Sequence, residues 1–316
     1  MSLQQRISTF VQLGKIFKHL GENKAWSGFD LGISESEYQR FESSFQYAKA
    51  KNPWFTEENV RQALLGLAHM LSQEKLEQWT SAYQLPTEFT GKKVGVIMAG
   101  NIPLVGFHDM LCVLLAGHNL LIKLSSDDEI LPKEVINTLS LLDGAMASRV
   151  QLVEHKLEGF DAVIATGSNN SARYFHYYFD HVPHLIRKNR NSIAVLTGDE
   201  STEELKALGH DLFSFFGLGC RSITKLFVPE GYKLDTLFEA LYDRHEIANH
   251  NKYANNYDYH KAVWLLNQEQ LLDNGFLLLK RDDNICSPTG TLFYDFYESK
   301  AEVETYLEER KEEIQC

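Results

Sequence analysis

From residue 93 onward, short apolar runs alternate with stretches of helical periodicity, and this alternation constrains the fold more than any other feature of the chain. Lys93-Val94-Gly95-Val96-Ile97-Met98 reads as a buried strand running into the loop Gly100-Asn101-Ile102-Pro103. A helix is expected from about Val105 to Ala116, closed by Gly117. Strands follow at 119–124, 150–155 and 161–166, with helices at 132–142 and 171–179. Such a succession implies right-handed crossovers and a mostly parallel sheet, so the predicted fold class is α/β.

Before that region the text is helical. Val60, Ala63, Leu64, Leu67, Ala68 and Leu71 draw one apolar stripe at i, i+3, i+4 spacing, suited to packing on the domain that follows. After it, strands are expected at 192–196, 225–229, 262–266, 276–279 and 291–296. A helix is expected over 203–216, and the stretch 234–261 reads as helical with weak periodicity. No internal repeat or low-complexity linker separates these parts.

Composition removes several function classes. With 316 residues, 44% hydrophobic and 12% aromatic, the chain can bury a large core. Its net charge of -12 opposes phosphate backbones and anionic lipid, so no nucleic acid partner is expected. No run has the roughly 20 apolar residues of a membrane helix, and no secretory signal opens the chain. Cys112, Cys220, Cys286 and Cys316 form no CxxC pair, which points to a reducing cytoplasm. His176, His181 and His184 lie close together, with His245, His250 and His260 farther on, but no spacing has strong ligand logic and no metal site is expected. There is no P-loop and no GxSxG elbow.

Ligands of parallel sheets bind where strands end, and three loops there could carry chemistry. In the first, Gly100 permits close backbone approach, and Asn101 is either a turn residue or an amide donor. In the second, Thr166-Gly167-Ser168-Asn169-Asn170 could turn backbone N–H groups toward a phosphate or simply cap a helix. The third, Gly217-Leu218-Gly219-Cys220-Arg221-Ser222, sets a thiol among glycines and beside an arginine, as a nucleophile requires. Cysteine is also a common small core residue. Cys112, inside an apolar helix, reads as core, while Cys286 lies in a loop without glycines. Lys123 could reach a ribose or phosphate or stay solvated. Arg187, Lys188 and Arg190 make a basic patch suited to an anionic cofactor or substrate, or an exposed face.

In order and spacing, Gly100-Asn101-Ile102-Pro103, Lys123-Leu124-Ser125, Thr166-Gly167-Ser168, Ser192-Ile193-Ala194-Val195-Leu196 and Gly219-Cys220 resemble the aldehyde dehydrogenase superfamily. Phe216-Gly217-Leu218-Gly219-Cys220-Arg221-Ser222 and Glu313-Ile314-Gln315-Cys316 are similar to its LuxC-type acyl-CoA reductase branch, and the likeness covers about residues 90 to 316. It implies N-terminal helices over 1–85, a Rossmann-like cofactor-binding domain over 86–190, a catalytic α/β domain over 191–288 and a return to the cofactor domain over 289–316. The active site is then expected in the crevice between lobes, where Asn101 meets Cys220.

The resemblance also implies roles. Cys220 is the nucleophile, Asn101 with the Cys220 N–H forms the oxyanion hole, Lys123 and Ser125 face the adenosine ribose or its 2′-phosphate, and Gly100, Gly167 and Ser168 belong to the cofactor site. The cofactor is NADPH or NADH, with Lys123 and the serines favouring NADPH. The substrate is an acyl-CoA, with acyl-transfer or synthetase enzymes as partners and pairing into a homodimer. Where aldehyde-oxidising relatives carry Glu-Leu-Gly-Gly, this chain has Arg187-Lys188-Asn189-Arg190, whose cations could attract CoA phosphates. The resemblance further implies a short tail beyond Cys316. The rival readings are an aldehyde dehydrogenase that hydrolyses its acyl-enzyme, using Glu200, Glu203 or a later glutamate, and a non-catalytic acyl-carrying subunit.

Overall fold

The N-terminal stripes form helices because each has both a cap and an apolar face. Ser2 and Ser34 close capping boxes with Gln5 and Glu37 at the starts of α1 (Leu3–Gly21) and α2 (Glu35–Lys51), satisfying amide groups that a helix start leaves unpaired. Thr56 caps α3 (Glu57–Met70), and α4 (Gln73–Ser81) follows. The structure is a computed structural model describing Met1–Cys316, and it divides into two units, Met1–Lys188 and Asn189–Cys316. No helix is long and apolar enough to cross a membrane.

In the first unit the chain continues through β1 (Lys93–Ile97), α5 (Phe107–Leu115), β2 (Asn119–Lys123), α6 (Ile130–Leu142), α7 (Gly144–Ala147), β3 (Val150–Leu152), β4 (Ala162–Thr166), α8 (Asn169–Phe179) and β5 (His184–Arg187). The five strands form one parallel sheet in the order β3-β2-β1-β4-β5. One apolar core joins this sheet to the N-terminal helices: Phe10, Phe17, Phe41 and Val60 lie in the same cluster as Val96, Phe107, Leu111 and Ile122. The helices of residues 1–85 are thus part of the sheet's own folding unit. Phe17 is the clearest link, fully buried, with its ring edge-on to Phe41 at 6.1 Å and to Phe107 at 5.6 Å.

The second unit runs through β6 (Ser192–Val195), α9 (Thr202–Phe213), β7 (Ile223–Pro229), α10 (Leu234–Leu241), α11 (Asn251–Leu266), β8 (Leu272–Asp273), β9 (Leu278–Arg281), β10 (Thr291–Tyr297) and α12 (Lys300–Glu309). Its sheet has the order β6-β7-β10-β9-β8, parallel except for the β8–β9 pair. Lys225, on β7, is fully buried; its ammonium donates to the Asp282 carbonyl and lies 5.1 Å from the centre of the Phe227 ring.

Two expectations are corrected here. Residues 289–316 do not return to the first sheet: β10 is the central strand of the second, between β7 and β9, and Gln315 and Cys316 pair with Asn191 and Ile193 beside β6. Residues 262–266, expected as a strand, are the last turn of α11, since an apolar run of five residues carries no period that separates helix from strand.

Phe17→Ala should destabilise the first unit by about 3–5 kcal/mol, the cost of emptying an aromatic core position. Urea unfolding followed by tryptophan fluorescence would check it, because Trp26, Trp54 and Trp79 pack against this same core.

Candidate active site

In the first unit the candidate residues collect at one edge. All five strands are parallel, so the segments following β1, β2, β4 and β5 leave from the same side, bringing Gly100 and Asn101, Lys123 and Ser125, Gly167 and Ser168, and Arg187 to the carboxyl ends of the strands. Gly100 is needed for the packing of two loops: a Cβ there would lie 2.5 Å from the Ser125 Oγ and 3.1 Å from the Asp128 nitrogen. Gly167 is needed in the same way, since its Cβ would lie 2.9 Å from that of Ser171 and 3.0 Å from the Phe175 ring. Asn101 is exposed. Lys123, half-buried, donates to the His155 carbonyl at 2.7 Å, and Ser168 caps α8 by accepting from the Ser171 N–H.

Two buried carboxylates organise this edge, and neither was singled out from the sequence. Asp109, in the first turn of α5, is 5% exposed and pairs with Arg187 at 2.5 Å. Arg187 is therefore held by a partner inside its own unit, whereas Arg190 is exposed. Asp109 and the Cys112 thiol, 3.9 and 3.5 Å from the Nδ1 of His108, push that histidine's pKa up to about 9. Cys112, expected in the core, is only half-buried and faces His108.

Asp128 is the second. It is 4% exposed, and its Oδ2 accepts from the Leu104 N–H at 2.7 Å while its Oδ1 is buried without a hydrogen-bond partner. Leu104 has a left-handed backbone, φ 57°, which a branched side chain adopts only when held there. The Asp128 carboxylate thus fixes the loop that carries Asn101. The sequence shows at this point only a run of small polar and acidic residues, and burial is invisible in such a run.

In the second unit Cys220 is exposed, but Cys286 and Cys316 are exposed as well, so accessibility does not select the nucleophile. The backbone around Cys220 is what sets it apart. Phe215, Phe216 and Gly217 have φ of 53°, 59° and 75°, three consecutive left-handed residues. The turn from Gly219 closes by a hydrogen bond from the Ser222 N–H to the Gly219 carbonyl at 2.9 Å, and the buried Ser192 hydroxyl donates to the Cys220 carbonyl at 2.9 Å. With its carbonyl tied down to Ser192, Cys220 keeps its side chain in solvent. The Ser192 Oγ also lies 3.1 Å from the Cys316 thiol.

Glu200, one of the glutamates considered as a hydrolytic base, is occupied. Its carboxylate accepts from the Thr197 N–H and hydroxyl and from the Gly198 N–H. Partial burial raises its pKa, but these bonds outweigh that effect and hold it below the usual carboxylate range.

The fold is that of the aldehyde dehydrogenases. The chain superposes on the NAD-dependent aldehyde dehydrogenase of Sinorhizobium meliloti with a TM-score of 0.69 at 12% identity, covering 97% of this chain and 68% of that one. For the aldehyde dehydrogenase of Bacillus cereus, solved with NAD+, the values are 0.64, 13%, 97% and 69%. For aldehyde dehydrogenase 21 of Physcomitrella patens, solved with the product succinate, they are 0.65, 12%, 94% and 70%. No curated protein matches the chain. The family model for the LuxC acyl-CoA reductases matches residues 34–271, and the chain belongs to that family. It is an oxidoreductase acting on aldehyde or acyl groups.

Burial pushes the Asp128 carboxyl up to about 7 against the opposing effect of the Leu104 N–H. Between its unfolded value of 3.8 and that figure, the folded chain holds a proton that the unfolded chain has released. Its contribution to stability is therefore fully present below pH ~4 and lost as pH rises toward ~7. Asp128→Asn keeps an acceptor for Leu104 and cannot ionise, so the melting temperature of the variant relative to wild type should climb from pH 4 to pH 8. Thermal melts across that range would check it, and parallel curves would remove the assignment.

Proposed function

We propose that the chain reduces an acyl-CoA thioester to an aldehyde with a nicotinamide cofactor, through a thioester on Cys220. The observation that carries this reading is the match to the acyl-CoA reductase family over a segment that includes an exposed Cys220 on a constrained glycine turn. Exposure counts against the non-catalytic alternative, which a buried Cys220 would have favoured. The engagement of Glu200 in its own turn counts against the hydrolytic one.

The residues present fit a nicotinamide nucleotide. An ammonium at Lys123, hydroxyls at Ser125 and Ser168, and the start of the eleven-residue helix α8 share the carboxyl edge of a parallel sheet, the donor set that ribose and phosphate need. In this reading Lys123 and Ser125 hold the adenosine ribose or its 2′-phosphate, which favours NADPH, and Gly100, Gly167 and Ser168 line the remainder of the site. The cofactor, when bound, supplies hydride.

The chain's own chemistry is nucleophilic. The Cys220 thiolate attacks the thioester carbonyl, the bond to the CoA sulfur breaks, and CoA leaves with the electron pair and takes up a proton. Charge developing on the carbonyl oxygen calls for amide donors, the role that the family resemblance gives to the Asn101 amide and the Cys220 N–H. Reduction of the acyl carbon then breaks its bond to Cys220, releasing aldehyde and restoring the thiolate. With no glutamate at Arg187-Lys188-Asn189-Arg190, the acyl-enzyme lacks that base and hydrolyses slowly, which favours reduction or return to CoA. An acyl-transfer or synthetase enzyme would supply the activated acyl group, two copies would pair, and the reducing cytoplasm would keep the thiol competent.

Two measurements test this. Incubated with acyl-CoAs of several lengths and NADPH, the wild-type chain should form aldehyde and Cys220→Ala should lose at least about a thousandfold of that rate. Equal rates would sink the thioester. Arg190→Glu should raise KM for acyl-CoA roughly fivefold with kcat little changed, as expected for one exposed charge facing a phosphate. The corresponding change at Arg187 would strand Asp109 and test the fold instead.

A further inference from the structure

The hairpin of chain between α8 and β5 brings together three side chains that the sequence leaves apart. His176 lies in the last turn of α8, Asp180 follows four residues later at its C-cap, and His184 is the first residue of β5. One ligand atom from each lies within 4.8 Å of the other two. The His176 Nδ1 is 3.1 Å and the His184 Nε2 3.6 Å from the same oxygen, Asp180 Oδ1, and the two imidazole rings stand edge-on with centroids 5.6 Å apart.

The hydrogen bonding of His184 turns its second nitrogen toward the other two groups. Its Nδ1 lies 2.9 Å from the Val182 carbonyl, and a carbonyl oxygen only accepts, so the proton of the neutral ring sits on Nδ1. The Nε2 lone pair is then directed toward a carboxylate oxygen, another acceptor. Two acceptors facing each other need positive charge between them, which a bound cation supplies as well as a proton would. A backbone carbonyl fixing the tautomer of an imidazole, so that its other nitrogen is free to bind, is the arrangement that supports metal-ligating histidines.

We propose that His176, Asp180 and His184 form a binding site for a first-row divalent transition metal such as Zn²⁺, Co²⁺ or Ni²⁺. Two imidazoles and one carboxylate suit these ions and are a poor set for Mg²⁺ or Ca²⁺, which take oxygen ligands. All three residues are exposed, so water completes the coordination. The site is separate from the candidate active site: His176 lies eight residues along α8 from Ser168, roughly 12 Å at the helical rise, and His184 opens β5 at the end opposite Arg187. A bound ion fastens the end of α8 to the start of β5 across the Asp180–Pro183 turn and stabilises the strand–helix–strand unit whose other ends carry Gly167, Ser168 and Arg187.

The test is titration of the full chain, stripped with chelator, with Co²⁺ alone. One equivalent should bind with a d–d absorption of nitrogen and oxygen ligands and no thiolate-to-cobalt charge transfer, which separates this site from the four cysteines, and Tm should rise with Co²⁺ concentration. His184→Ala and Asp180→Asn should each weaken binding more than about tenfold, while His181→Ala, an exposed neighbour outside the cluster, should not. Circular dichroism of the metal-free variants would show that each is folded. Binding undiminished in both ligand variants, a thiolate band as the sole signal, or no binding at millimolar Co²⁺ would each overturn the proposal.

Discussion

Because β1 is hydrogen-bonded by parallel neighbours on both sides, neither β2 nor β4 can follow or precede it through a hairpin, and each connection must cross over a face of the sheet. Every loop that follows a strand in the first unit is thereby delivered to one edge. Lys123, Ser125, Gly167 and Arg187 are spread over 65 residues of sequence, yet they gather there without any contact designed to collect them. Local detail then refines the edge. The missing Cβ of Gly100 lets the loop after β1 settle against Ser125 and Asp128, and the missing Cβ of Gly167 lets α8 begin directly above its strand.

Charge inside the protein is placed sparingly, and each buried group has a task. Asp109 ties α5 to the end of β5 through Arg187, and Asp128 holds a leucine in a conformation that it would not adopt alone. In the second unit the ammonium of Lys225 is enclosed beneath the Phe227 ring and the Asp282 carbonyl, and burial lowers its pKa against the pull of nearby carboxylates. A buried charge that has found its partners costs far less than one left alone; Asp109 and Lys225 have theirs, whereas Asp128, with one oxygen unpartnered, is pushed by burial toward its protonated form.

The sequence made the repeating parts legible. Short strands rich in Val, Ile and Leu at 93–98 and 119–124, and the amphipathic helices between them, follow from pattern, and the motif order in their loops led to the family. What escaped was short, polar or dependent on burial. β5 is an edge strand of four residues starting just after Pro183, with His184 and Leu185 exposed, so it shows neither an apolar run nor alternation. α12 is rich in Glu and buries only Val303, too little to draw a stripe. Asp109 and Asp128 look like surface carboxylates until the fold encloses them. His176, Asp180 and His184 show no familiar ligand spacing because their meeting depends on β5, the strand that the sequence concealed.

The backbone ahead of Cys220 is held in shape from elsewhere. Left-handed conformations cost non-glycine residues roughly 1–2 kcal/mol each, and Phe215 and Phe216 adopt them in succession. The Phe216 ring lies tilted against His250, the cap of α11, with centroids 4.3 Å apart, and 6.4 Å from the ring of Tyr253, whose hydroxyl is anchored on the Phe276 carbonyl. The geometry of the Cys220 turn is therefore set in part by a helix that begins some thirty residues later. Transplanted by itself into another scaffold, the segment 214–222 would carry the thiol and leave behind the shape that presents it.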